Sequence, residues 1–567
     1  MAGKLPVVLC WHMHQPEYRD PRNGVYQQPW TWLHAIKDYV DMAAHLERWP
    51  KARAVVNFVP ILLEQLEDYQ AQIDAFHRDG EPSGLRDSLL VGLVRPDVVQ
   101  GRERVQLARA LLRANESRLI GRFPAFARLV HATKAILAHA RAADYLSDSL
   151  LGDLAVWYHL AWSGETLRQE DPVVGAFLER DGGFTAKERE ALLLRLGESI
   201  GSIFARYRRL AEEGRIELSM TPYAHPIMPL LLDLSAGLES EPDAPQPDRD
   251  AYPRGEERVR YHFDHGLAVF ERVFGRRPDG CWPSEGALSD ATLACLEKQG
   301  FAWTASGQQV LNNTLNRAHQ PVHCQHRVYR SDGQDLRVFF RDDGLSDRIG
   351  FDYQNWHADD AITDLCSHLV SIAETCEHLG VEDAIVPIIL DGENAWEHYP
   401  DNGFWLLDGL YKRLSHHPSL ELVTFSEFLG RTPQAAPLPD LVAGSWVYGN
   451  LATWIGEPAK NLAWELLVDA RAAYLEAQDE EDWAADEQRR NAQQLAVCEG
   501  SDWFWWFGED SPAEAIRDFD RLFRLQLARL YELIDRPVPS ALEAPICEPS
   551  EHAGSVEAGG VMRRGQA

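Results

Sequence analysis

Short apolar runs recur along the chain, and each gives way to polar residues before a helical pattern begins. They lie at residues 7–11, 54–58, 216–220, 302–304, 338–340, 385–390 and 420–424, with a weak one near Cys281. Runs this short and this apolar fit buried strands. Between them, apolar residues fall at every third or fourth position. "PILLEQLEDYQAQIDAF" follows the second run, "DATLACLEKQGF" precedes the run at 302, and "ITDLCSHLVSIAETCEHLG" precedes the run at 385. Strand and helix in alternation predict parallel strands joined by crossover helices, an α/β fold.

Two regions break the alternation. Residues 61–213 carry almost no strand pattern, and "RERVQLARALLRANESRLIGRFPAFARLVHATKAILAHARAAD" predicts a helical insertion after the second strand. "LESEPDAPQPDRDAYPRGEE" is acidic and rich in proline, and reads as a surface loop. After "ELVTFSEFLGRTPQAAPLPD" the strands are expected to stop, and residues 460–534 read mostly as helix. From about residue 537 the periodicity fades, which predicts a disordered tail. The expected division is a barrel over residues 1–435 carrying the insertion, a helical domain over 436–536, and a tail over 537–567.

At 567 residues the chain exceeds one average domain, and 45% hydrophobic residues suffice for a sizeable core. The formal charge of −31 repels phosphate backbones and anionic lipid, so neither nucleic acid nor membrane is an expected partner. A neutral substrate is not opposed. No pair among the eight cysteines has C-x-x-C spacing, so zinc-ribbon and thioredoxin-like readings have no support. The start of the chain lacks the pattern of a secretory leader, and a cytoplasmic location is expected. Tryptophan adds more. Several of the 18 sit beside glycine or acids, as in "GCWPSEG", "GSWVYGN", "ATWIGEP" and "SDWFWWFG". Core packing accounts for about half of them. A flat ring beside hydrogen-bonding groups suits the face and hydroxyl edge of a sugar.

The polar residues after each run would collect at one rim of a parallel barrel, where active sites form. They are His12 and His14; Asn57; Thr221, Tyr223 and His225; Glu285; Arg341, Asp342 and Asp343; Asp391 and Glu393. A Gly-rich phosphate loop and a Gly-x-Ser-x-Gly elbow are both missing, so nucleotide chemistry and acyl transfer have no support. Two acidic stations stand out, Glu285 in "GCWPSEGALSD" and Asp391 in "IVPIILDGENAWEHYPDNG". Each has a plainer alternative: Ser-Glu caps helices, and Asp-Gly makes solvated turns. A pair of carboxyls across a tryptophan-lined trough is the equipment for glycoside hydrolysis. A metal hydrolase is the rival, because His12 and His14 point the same way from a strand and could hold zinc with His225 and Asp391. A glycan-binding body without catalysis is the third reading.

Five segments, "WHMHQP", "IELSMTPYAHPIMPLL", "GCWPSEGALS", "IILDGENAWEHY" and "GSWVYGNLATWIGEPAKNLAWELL", resemble in order the motifs of glycoside hydrolase family 57. The resemblance runs from residue 7 to about 508 and is nearest to amylopullulanase and α-amylase members, which "SDWFWWFGED" also resembles. It implies an incomplete (β/α)7 barrel with a C-terminal α-helical domain, acting on α-glucans with retention, without metal or cofactor. Glu285 matches the nucleophile and Asp391 the acid/base. His12, His14, Trp282 and Glu393 match the sugar site, and Trp446 and Trp454 the domain that closes over it. His225, Asp502 and Trp506 are expected substrate contacts from the second and last of these segments. Pro283-Ser284 departs from the small residues many members carry there, which bears on subsite shape. The expected activity is hydrolysis of α-1,4 links in glycogen, starch or maltodextrins, with α-1,6 links as a second class. The alternatives are a 4-α-glucanotransferase or branching enzyme and, more distantly, a metal-dependent barrel hydrolase. His12 and His14 are expected to donate hydrogen bonds to sugar hydroxyls.

Overall fold

The structure is a computed structural model that describes residues 3–321, 324–508 and 511–548. Its ten strands are β1 (Leu5–Met13), β2 (Ala54–Phe58), β3 (Ile216–Met220), β4 (Gly280–Cys281), β5 (Trp303–Gly307), β6 (Tyr329–Ser331), β7 (Arg337–Arg341), β8 (Val386–Asp391), β9 (Leu420–Leu422) and β10 (Ala436–Leu438). They form one sheet in the order β10-β6-β7-β5-β4-β3-β2-β1-β8, with β9 added to β1. From β7 through β5, β4, β3, β2 and β1 to β8, every pairing is parallel. The two ends of that run do not form a ladder. A backbone hydrogen bond bridges them, from Asp342 N–H to Pro387 O at 2.8 Å. The result is the expected incomplete (β/α)7 barrel. Strands β6 and β10 extend it past β7; three residues each, they were too short to show in the hydropathy pattern.

Strand alternation builds the barrel core. Val8 and Cys10 of β1 join Val55, Trp303, Ala305, Phe339 and Ile389 in one interior cluster. Val7, Leu9 and Trp11 face the surrounding helices instead. Two residues beyond the interior layer, the same face carries His12 on β1, Asn57 on β2, Arg341 on β7 and Asp391 on β8. Register aligns them, since His12 pairs with both Asn57 and Asp391, and Asn57 with Ser219. The polar rim is thus the last layer of an apolar stack.

Between β2 and β3 the described residues form helices and turns, from Pro60–Asp79 to Ala186–Glu212. After β10 the helices Pro458–Glu480, Ala485–Cys498, Asp502–Trp506 and Ala513–Leu533 pack together over the barrel mouth. Packing continues past residue 537. A short turn at Ser540–Glu543 buries Leu542, and Ile546 N–H donates to Asp520 Oδ1 at 2.7 Å. Single anchors of this kind leave no periodic trace in sequence. The expected tail from residue 549 onward lies outside the described residues.

β4 is only two residues long, and it aims the turn that carries Glu285. At Gly280 an added Cβ would stand 1.8 Å from a ring carbon of Trp303. Gly280→Ala is therefore expected to cost about 1–3 kcal/mol through overpacking. Thermal unfolding reads this as a lowered Tm; an unchanged Tm would show that the strand has room to spare.

Candidate active site

Glu285 follows β4 in a single turn, Ser284–Gly286, where its backbone is left-handed at φ 57° and ψ 21°. That conformation costs a side-chain-bearing residue about 1–3 kcal/mol and gathers at functional sites. It turns the carboxyl toward Trp446, whose Nε1–H donates to Glu285 Oε2 at 2.8 Å. Trp446 N–H also donates to Glu285 O at 3.0 Å. The ring of Trp446 rests edge-on against Trp282, with Arg341 over its face at 5.2 Å. Asp343 and Asp347 accept from Arg341 at 2.9 and 2.8 Å.

Asp391 closes β8, and Asn394 Nδ2–H donates to its Oδ2 at 2.9 Å. Burial pushes its carboxyl above the ordinary range; the Asn394 hydrogen bond and the charges of His14 and Arg341 pull part of the way back. Glu393 is pushed up further, by burial first and then by the Asp391 charge. Its Oε1 collects three donors, His14 N–H at 3.0 Å and Gln15 Nε2 and Tyr39 OH at 3.3 Å each. Its Oε2 has no partner among the described residues.

Three imidazoles lie nearby in a stack. His14 covers His225 at 3.9 Å between centroids, and His12 lies 5.2 Å from His225. Burial, with the neighbouring His14 second, pushes His12 down to about 3, so it is neutral. Its Nδ1–H donates to Asn57 Oδ1 at 2.8 Å, which leaves Nε2 as an acceptor. This corrects the expectation that His12 donates to the substrate. His14 Nε2–H donates to Asp502 at 2.9 Å. His225 is left-handed at φ 59°, and its Nδ1 pairs with Ser501 Oγ at 2.8 Å.

His14, His225 and Asp502 bring ligand atoms within 4.8 Å of one another. The two rings are nearly parallel, 23° apart, so their in-plane lone pairs run side by side. A tetrahedral ion needs them to converge. The donor set is present, but its orientation does not suit one shared ion.

These groups open onto one cavity, walled by Glu285, Asp391, Glu393, His12, His14, Arg341 and Trp446. The helical domain adds Asp502, Trp505, Trp506, Asp518 and Phe519, and the helical insertion adds Arg113. The sequence of residues 8–439 matches glycosyl hydrolase family 57. The chain belongs to that family. A search of curated proteins finds no match. Among solved structures the chain resembles a GH57 branching enzyme from Thermococcus kodakaraensis, at 16% identity over 99% of this chain and 100% of that one, with a TM-score of 0.55. It also resembles the α-amylase AmyC of Thermotoga maritima, at 12% identity over 94% and 93%, with a TM-score of 0.55. At these identities the likeness speaks to the fold.

In this family 57 enzyme most expected site residues share the cavity wall: Glu285, Asp391, His12, His14, Glu393, Trp446, Asp502 and Trp506. Three lie behind it. Trp282 is buried beneath Trp446 and Gly286, Trp454 is buried against Trp505 at 6.1 Å, and His225 lies under His14. Pattern identifies an aromatic loop but not which ring faces inward. Sequence reasoning missed Arg113, Gln28 and Asp518, which join across the mouth: Arg113 donates to Gln28 Oε1 at 3.1 Å, and Gln28 donates to Asp518 Oδ2 at 2.7 Å. Each sits in a segment that reads as ordinary helix or loop, so no local signal marked them. Among the described residues, no helix is long and apolar enough to cross a membrane.

Burial of Asp391 penalises only its charged form. The cost is absent below the unfolded carboxyl value near ~3.9 and grows as pH rises through the higher folded value. Asp391→Asn is expected to raise Tm at neutral pH, with the gain shrinking as pH falls. A gain independent of pH would contradict the raised carboxyl.

Proposed function

We propose that this enzyme cleaves α-glucans with retention, by double displacement at Glu285 and Asp391. The observation that carries this reading is two carboxyls on one aromatic-walled cavity, each held by its own hydrogen-bond donor. Asp391 is held toward its protonated form by burial, as a proton donor must be. Glu285 receives an indole N–H on Oε2, which orients the carboxylate for attack. Membership of family 57, with folds shared by a branching enzyme and an α-amylase, supports α-glucans as the substrate class.

In the first step Glu285 attacks the anomeric carbon while Asp391 passes its proton to the leaving oxygen. The ionised Asp391 then takes a proton from the incoming acceptor, which displaces Glu285 and restores the original anomeric configuration. His12 Nε2 accepts a hydrogen bond from a sugar hydroxyl, and Glu393 Oε2 meets another. Arg341, held in place by Asp343 and Asp347, favours the ionised form of Asp391 by its charge.

Water is the acceptor in the first reading, because the cavity opens to solvent. Transfer to a second glucan is also favoured by a specific feature. Trp506 stacks on Phe519 at 5.0 Å, and both line the cavity, giving an acceptor sugar a flat apolar wall.

Incubation with maltoheptaose and with pullulan separates the two. Hydrolysis yields only shorter chains, and maltotriose released from pullulan reports α-1,6 action, whereas panose reports α-1,4 action. Products longer than maltoheptaose establish transfer. Intact glycans would overturn both. Asp391→Ala is expected to slow turnover by about 10²–10⁴-fold. Glu285→Ala should lose activity and regain turnover with azide, which fills the nucleophile's place and leaves as a β-glycosyl azide. Undiminished activity in the Glu285 variant would remove it from the mechanism.

A further inference from the structure

On the β6 side of the barrel, outside the catalytic cavity, three metal-type ligands from two elements meet. Cys324 and His326 lie in the segment leading into β6, and Cys376 lies in the last turn of the helix Ala358–His378. The two thiol sulfurs are 3.5 Å apart, and both cysteines are buried. The ligand atoms of all three residues lie within 4.8 Å of one another.

The histidine is oriented as metal-bound histidines are. His326 Nε2 pairs with Asp342 Oδ2 at 2.8 Å, which leaves Nδ1 for a metal. A carboxylate behind a ligating imidazole fixes its tautomer and direction. Asp342 is itself held, because Leu345 N–H donates to its Oδ1 at 2.8 Å. Tyr329 OH donates to Cys324 O at 2.9 Å and fixes the first thiol's backbone. Two sulfurs on a tetrahedral zinc, each bonded at about 2.3 Å, stand about 3.8 Å apart. A disulfide needs about 2.0 Å. The observed gap is near the first value and far from the second.

We propose that Cys324, Cys376 and His326 form a structural site for a thiophilic divalent cation, zinc foremost. Two thiolates and an imidazole are a zinc donor set, and water completes the tetrahedron. Binding M²⁺ releases the two thiol protons and involves no change of oxidation state. The ion ties the segment before β6 to the helix carrying Cys376. Through His326 and Asp342 it also braces the end of β7, where Arg341 stands at the cavity. The spacing, with Cys376 fifty-two positions after Cys324, hid the set from motif reading.

The test uses the full chain, produced with zinc and purified without chelator. Elemental analysis is expected to find one zinc per chain, lost in Cys376→Ser and His326→Ala and kept in Cys295→Ser and Glu285→Ala. Retention in Glu285→Ala separates this site from the catalytic proposal. Wild-type protein stripped of metal and titrated with Co²⁺ should show a thiolate-to-cobalt charge-transfer band and intense tetrahedral bands, with a rise in Tm. This arm does not depend on any variant folding. Zinc retained in Cys376→Ser and His326→Ala would overturn the proposal. So would a wild-type protein that takes up neither metal, or one lighter by two hydrogens before reduction, which would mean a disulfide.

Discussion

The hydrogen bond from the Trp446 indole to Glu285 joins parts of the chain 161 positions apart, and the site depends on it. Glu285 sits in a left-handed turn after a two-residue strand, an arrangement with little rigidity of its own. What fixes it is the segment after β10, which reaches back over the barrel mouth. Trp446 accepts that load because it rests on buried Trp282 and beneath Arg341. The same cover brings Ser501 and Asp502 onto the histidine stack, and Trp506 and Phe519 onto the cavity wall. The barrel supplies the acids, and the helical domain orients Glu285. Neither part makes the cavity alone.

The second constraint is strand register. Parallel strands deliver their ends to one rim, and period-two alternation decides which residues point inward there. His12, Asn57 and Asp391 stand side by side because β1 pairs with β2 and β8 in that register. A slip of one residue would exchange His12 for Trp11 or Met13. Because this layer caps an apolar stack, its members lose water. That loss neutralises His12 and raises both Asp391 and Glu393. The chemistry therefore follows from the packing beneath it.

Much of this was legible in the sequence. The runs at 54–58 and 216–220 are β2 and β3 as they stand, and of the polar residues that follow the runs His12, His14, Glu285, Arg341, Asp391 and Glu393 line one cavity. Local pattern was enough because apolar runs and their polar ends are adjacent in the chain. What pattern could not give was facing and distance. Trp282, Trp446 and Trp454 look alike as tryptophans in loops, yet only Trp446 reaches the cavity. Arg113 comes from the helical insertion and Asp518 from the last long helix, and their meeting at the mouth is tertiary information. The cysteine pair is the same case, since scattered positions in the chain become one cluster in the fold.

The central claim is that Glu285 carries a covalent glycosyl intermediate. A direct measurement is mass spectrometry of proteolytic fragments after incubation with an α-glucosyl fluoride bearing a second fluorine on the ring. Such a substrate forms the intermediate faster than it is released. The account predicts one added fluoroglucosyl mass, on the fragment containing Glu285. A label on any other residue, or none while NMR shows inversion at the anomeric carbon, would contradict it.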